Sequence, residues 1–125
     1  MSGTTRITQL ATVGIHVADQ EKAVEFYVRE LGFEVRRDAP FGNGRWIEVA
    51  PPGAATTIAL VPEGAPAGIR LTTRDAGADH ADLRARGVDA DAEVMRMGPA
   101  VPPMFGVRDP DGNHLILIED SVEGS

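Results

Sequence analysis

At 125 residues, with 42% hydrophobic and 25% charged positions, the chain is sized for one compact domain with a core and excludes a disordered polymer. A net charge of -7 and the absence of cysteine exclude the basic face that nucleic acid requires, disulfides, thiol nucleophiles and Cys-held zinc. No apolar run reaches the ~20 residues of a membrane span, and the start MSGTTRITQLA has no signal-peptide hydrophobic stretch, so the expectation is a cytoplasmic protein with neither membrane nor nucleic-acid partners.

The first strand signal is VGIHV, where Val13, Ile15 and Val17 alternate with Gly14 and His16. Asp19 is placed to cap a helix whose apolar residues Val24, Tyr27, Val28 and Leu31 fall at helical spacing and which Gly32 stops. FEVRRDA, GRWIEVA and TTIALVP then read as three strands. After a break at EGAPA, residues 63 to 67, the plan repeats. Ile69 and Leu71 alternate in a strand, Asp75 caps a weaker helix through Ala76 and Leu83, and Gly87 ends it. Strand signals follow in DAEVMRM, MFGVRD and HLILIED. The connection before the last strand carries Asp109, Pro110 and Gly112 in the first, second and fourth places of a type I turn.

The expected fold class is α+β: one domain over residues 1–125, built of two tandem βαβββ modules, about 7–62 and about 68–120. Neither module, at about 55 residues, buries enough surface to stand alone. The acidic stretch RDAGADHAD reads as a solvated helix start favoured by the helix dipole, with His80 at or near the surface.

Strand alternation separates two faces. One is aliphatic (Ile15 and Val17, Ile47 and Val49, Ile58 and Leu60, Leu115 and Leu117) and should lie under the helices. The other carries Thr12, His16, Trp46, Glu48, Arg70 and His114, with Met104 and Phe41 at its mouth, and is the expected ligand face. His16 suits ligand hydrogen bonding or acid-base work, unless a backbone carbonyl simply satisfies it. Glu48 and Arg70 pair with each other or with ligand, unless they lie at strand ends exposed to solvent. Trp46 stacks on a planar ligand or packs in the core.

The doubled βαβββ plan, with AVEFYVRELGFEV closing the first helix and VRDPDGNHLILIED at the end, resembles the vicinal oxygen chelate superfamily over residues 7 to 120. That group includes glyoxalase I, extradiol dioxygenases and bleomycin-resistance proteins. The resemblance implies curled half-barrel sheets with helices outside, a ligand on the concave face, and pairing of two chains as a homodimer. Metal-using members place four ligands at positions matching Thr12, Ala59, Gly68 and Ile116 here. These cannot supply the several N or O donors a divalent ion needs, so neither metal nor other cofactor is expected. The implied function is a metal-independent small-molecule-binding protein, resembling the bleomycin-resistance branch, that sequesters a drug or metabolite. The alternative is an isomerase, epimerase or lyase of the same fold, with His16 and Glu48 as catalytic acid-base groups or a relocated metal on His16, Glu48 and His114. The acidic balance favours a cationic or neutral ligand.

Overall fold

The computed structural model describes residues 5–42, 44–65 and 67–120. The fold is α+β, with seven strands and two helices: β1 (Ile7–Val17), α1 (Gln20–Glu25), β2 (Glu34–Phe41), β3 (Gly44–Ala50), β4 (Thr57–Pro62), β5 (Gly68–Thr73), α2 (Ala76–Ala85), β6 (Met104–Arg108) and β7 (His114–Glu119). The chain divides into two compact units, Ala11–Gly68 and the residues up to Leu10 with those from Ile69 onward, so β1 contributes to both. Among the described residues no helix is long and apolar enough to cross a membrane.

In the unit Ala11–Gly68 the strand order is β2-β3-β4-β1. β3 is antiparallel to both neighbours, and β4 runs parallel to β1 from Thr12↔Thr57 to Val17↔Pro62. Asp19 is extended, and its carboxylate accepts from the Lys22 N–H at 3.1 Å, satisfying one of the helix's free donors. The helix widens into one π-helical turn over Phe26–Glu30, and Gly32, at φ 78°, releases the chain. Ala23, Val24 and Tyr27 pack on Ile47, Val49 and Leu60, which are fully buried, with Ile15, Val17, Phe33 and Ile58 around them. The aliphatic face lies under the helix, as alternation requires.

β2 departs from simple alternation. Val35 opposes Val49, but Arg37 opposes Glu48, so Arg36 is an extra residue in a β-bulge. Val35 therefore shares the helix-side face with Val49, whereas Arg37, two residues on, falls on the opposite face. The bulged Arg36 turns its guanidinium to the Pro51 and Ala54 carbonyls, at 2.8 and 2.7 Å, and to Glu34 at 2.6 Å.

In the other unit β5 runs parallel to β7, and β7 pairs antiparallel with β6. The start of β1 lies beside β5, where the Arg74 N–H donates to the Arg6 carbonyl at 3.2 Å. Asp75 caps α2 through the Ala78 N–H at 3.0 Å, and Ala76 and Leu83 pack with Ala90, Phe105, Val107 and Leu117. The β6–β7 turn closes at the expected residues: Gly112 N–H donates to the Asp109 carbonyl at 2.9 Å, and Asp109's carboxylate receives Asp111 and Asn113. Those donors, the Asn113 amide first, hold the Asp109 carboxyl below its ordinary range.

Two expectations fail here. DAEVMRM is not a strand: one isolated bridge, Met95↔Met104, falls within it and another, Ala90↔Val107, just before it. Five steps from 90 to 95 face three from 107 to 104, so two residues are surplus and the ladder breaks. The Asp91 carboxylate then takes the Gly106 N–H at 2.8 Å. Nor is the acidic helix start fully solvated. Asp79 is fully buried and accepts from Thr73 Oγ1 at 2.5 Å and from the Arg6 N–H and Nη1, each at 2.9 Å. With three donors the carboxylate meets the condition for burying a charge, and composition alone could not reveal it.

Candidate functional site

The face of the unit Ala11–Gly68 opposite α1 follows from the register; its centre is covered, with Ala59, Val61, Thr12 and Thr57 buried, while Trp46 and Glu48 are half-buried and His16 is exposed. Thr12 pairs with Thr57, Gly14 and Glu48 with Ala59, and His16 with Val61. A chain of hydrogen bonds crosses β3, β4 and β1. Trp46 Nε1–H donates to one oxygen of Glu48 at 2.6 Å, and the Thr57 hydroxyl donates to the other at 2.9 Å. Thr57 and Thr12 hydroxyls lie 3.1 Å apart. Each hydroxyl has one proton, and Thr57 spends its own on Glu48, so Thr12 is the donor to Thr57. Glu48 is thus held by two donors within its own sheet. The indole is half-buried, with Phe41 edge-on to it at a centroid distance of 5.4 Å. An aromatic pair beside a fixed carboxylate offers apolar area with a defined polar anchor.

His16 is exposed, and its Nε2 lies 2.6 Å from the Ala65 carbonyl. A carbonyl only accepts, so Nε2 carries the proton, and in the neutral ring Nδ1 is the free acceptor. No hydrogen bond joins His16 to Glu48; each has its own partners. The two groups of the alternative acid-base reading therefore each have their own partner within the unit. Beside His16 the segment leading into β5 runs close to the sheet: a Cβ on Gly14 would lie 3.2 Å from the Gly68 nitrogen. Gly14 is glycine because backbone passes there.

In the other unit, Arg70 opposes Ile116, Met104 opposes Ile118 and Arg108 opposes His114. Arg70, Met104, His114 and Ile116 therefore share the face away from the buried Phe105, Val107 and Leu117. His114 is exposed, and its Nε2 lies 2.6 Å from where a Cβ on Gly106 would sit. Arg108 grips Asp91 at 2.6 Å and Asp89 at 2.9 Å. It lowers both carboxyls below their ordinary range; on Asp91 the Gly106 N–H and the charge of His114 add to the effect. His80, half-buried, donates from Nε2 to the Asp91 carbonyl at 2.7 Å and packs edge-on to Phe105, a structural role.

The four positions matched to metal ligands do not fit a cation. Thr12's hydroxyl is engaged with Thr57, Ala59 is a buried methyl, Gly68 has no side chain and Ile116 is a hydrocarbon. Among the described residues no group of three or more His, Asp or Glu is placed to hold an ion, and His16 and Glu48, two members of the relocated set, are separately partnered.

Sequence reasoning missed Arg37, Thr57 and Gly14. Counting from Val35 puts Arg37 on the wrong face, because no residue type announces the bulge. Thr57 was readable, since it shares a strand face with Ala59.

The family model described as Glyoxalase/Bleomycin resistance protein/Dioxygenase superfamily matches residues 9–117. YetH of Bacillus subtilis (strain 168) is 32% identical over 121 residues, covering 90% of this chain and 99% of its own. Methylmalonyl-CoA epimerase from Mycobacterium tuberculosis superposes with a TM-score of 0.77 at 27% identity, over 95% of this chain and 92% of that one. TnmS3, an antibiotic binding protein from Streptomyces sp. CB03234, is 37% identical over 90% of this chain and 96% of its own, with a TM-score of 0.43. The match over most of its length shows that this chain belongs to the glyoxalase/bleomycin resistance protein/dioxygenase superfamily.

Proposed function

We propose that the protein is a metal-independent small-molecule-binding protein whose ligand lies against the half-buried Trp46, on the face opposite α1. The supporting observation is the chain Thr12–Thr57–Glu48–Trp46. It uses the one hydroxyl at a family metal position, ties down the carboxylate a base would need, and fixes the indole for contact. The ligand contacts in the unit Ala11–Gly68 are Thr12, His16, Trp46 and Glu48; Arg70, Met104 and His114 are the candidate contacts of the other unit, taken by itself. The working form is a homodimer in the cytoplasm.

A second reading is an epimerase or related enzyme, favoured by the fold shared with methylmalonyl-CoA epimerase and by the free Nδ1 of an exposed His16. It requires a base other than the doubly bonded Glu48 carboxylate.

Trp46 is the sole tryptophan, so its fluorescence and its indole N–H resonance report one site. Titration with a panel of planar natural products should perturb both saturably, without turnover and without added metal. Catalysed proton exchange on methylmalonyl-CoA, abolished by His16→Ala, would replace binding with the enzyme reading. An unperturbed Trp46 across the panel would overturn the assigned face.

A further inference from the structure

The bulge in β2 sets Arg37 directly opposite Glu48, on the face away from α1. Opposed residues of an antiparallel pair hold their Cβ atoms about 4.5–5.5 Å apart, a separation at which Arg and Glu ordinarily pair. Here they do not. Both oxygens of Glu48 are taken by Trp46 and Thr57, and Arg37 is exposed, with no hydrogen bond or ion pair among the described residues.

The other two arginines of this hairpin behave differently. Arg36 holds Glu34 and two loop carbonyls, and Arg45 holds Asp38 and Glu21. Arg37 alone keeps its fork of donors unspent. Its neighbours on the same row are Ala39, opposite Trp46, and Phe41, opposite Gly44. The small Ala39 therefore separates Arg37 from Phe41 and leaves room beside the indole.

We infer that this face selects ligands carrying a carboxylate beside a planar apolar body, with Arg37 receiving the carboxylate and Trp46 with Phe41 receiving the body. The inference rests on the binding reading above and adds its ligand class. It reverses the preference for cationic or neutral ligands drawn from net charge, because a bidentate guanidinium contact acts locally while net charge acts through a screened field.

The test compares three isosteric probes: a naphthalene carboxylate, the corresponding alcohol and the corresponding ammonium. Calorimetry gives affinity, and the Trp46 indole resonance gives location. The carboxylate should bind about tenfold tighter than the alcohol, as a charge-assisted bidentate contact implies, with the ammonium weakest. Arg37→Gln should remove that preference, so that in the variant the carboxylate binds no tighter than the alcohol. Its exposed position spares the fold, which circular dichroism would check. Equal affinity for carboxylate and alcohol, or a preference surviving Arg37→Gln, would overturn the ligand class while leaving the binding reading intact. If no probe shifts the Trp46 resonance, both fall.

Discussion

The imidazole of His114 occupies the space that a side chain on Gly106 would need: a Cβ there would meet Nε2 at 2.6 Å and the Asp91 carboxylate at 3.2 Å. The two residues sit on adjacent antiparallel strands, and the exposed ring uses the groove that the glycine leaves. Gly106→Ala should destabilise the protein by about 1 kcal/mol, since an exposed ring can swing aside more easily than backbone can shift. In a His114→Ala background the cost should fall by more than half, read as a double-mutant cycle in urea.

Gly14→Ala meets a harder obstacle, because the nearest atoms are the Gly68 backbone nitrogen and oxygen at 3.2 and 3.3 Å. Backbone gives little, so the expected loss is about 1–3 kcal/mol. The same displacement should break the bond from His16 to Ala65, and the His16 ring resonances should move with it. Unchanged His16 shifts in a stable Gly14→Ala variant would contradict this account.

Asp79→Ala removes the acceptor of three hydrogen bonds and leaves the fully buried Thr73 hydroxyl without it. A loss of about 1–3 kcal/mol is expected. Arg6 is partly exposed and recovers water, which keeps the cost below that of stranding a buried charge. Asp79→Asn should fall between the wild type and the alanine variant in thermal unfolding.

Arg108 lowers the carboxyl pKa values of Asp89 and Asp91 in the folded chain. A depressed folded value means that the stabilisation is complete above the ordinary carboxylate range and lost as pH falls through the folded values. The stability difference between wild type and Arg108→Gln should therefore be constant near neutrality and shrink below about pH 4. Both carboxylates face solvent, so the difference should also shrink with added salt. A difference that grows on acidification would reverse the assigned sign.

The dimer is tested by sedimentation. In its unit β2 is an edge strand, and Phe26, Leu31 and Val35 are each exposed by more than 40%. Open edges and exposed apolar side chains favour closure against a second copy. The expected mass at micromolar concentration is twice the chain's 13.3 kDa; a stable single-chain species would exclude the pairing.

What the sequence made legible was whatever short-range chemistry determines. Asp19 and Asp75 cap helices because a carboxylate two or three residues ahead of free N–H groups has one good option. Trp46 and Glu48 could be separated from Ile47 and Val49 by parity alone. The failures share a cause. The extra residue at Arg36 and the surplus between Ala90 and Met95 shift register without any compositional mark. Asp79 looks like any acidic helix residue until Arg6, 73 positions away, arrives beside it. Gly14 is explained by Gly68 and not by its own strand.

The bulge at Arg36 also bears on how such a chain can change length. Val35 and Arg37 already oppose the consecutive residues Val49 and Glu48, so excising Arg36 would restore a regular ladder without sliding either flank. The hairpin beyond it, with Arg37, Ala39 and Phe41, would keep its alignment to Trp46. Strand β2 therefore contains a position where a codon can be lost or gained without reshuffling the neighbouring side chains. What would change is the tether from Arg36 to the Pro51 and Ala54 carbonyls, so single-residue length variation in β2 should show up as a looser β3–β4 loop and not as a scrambled sheet.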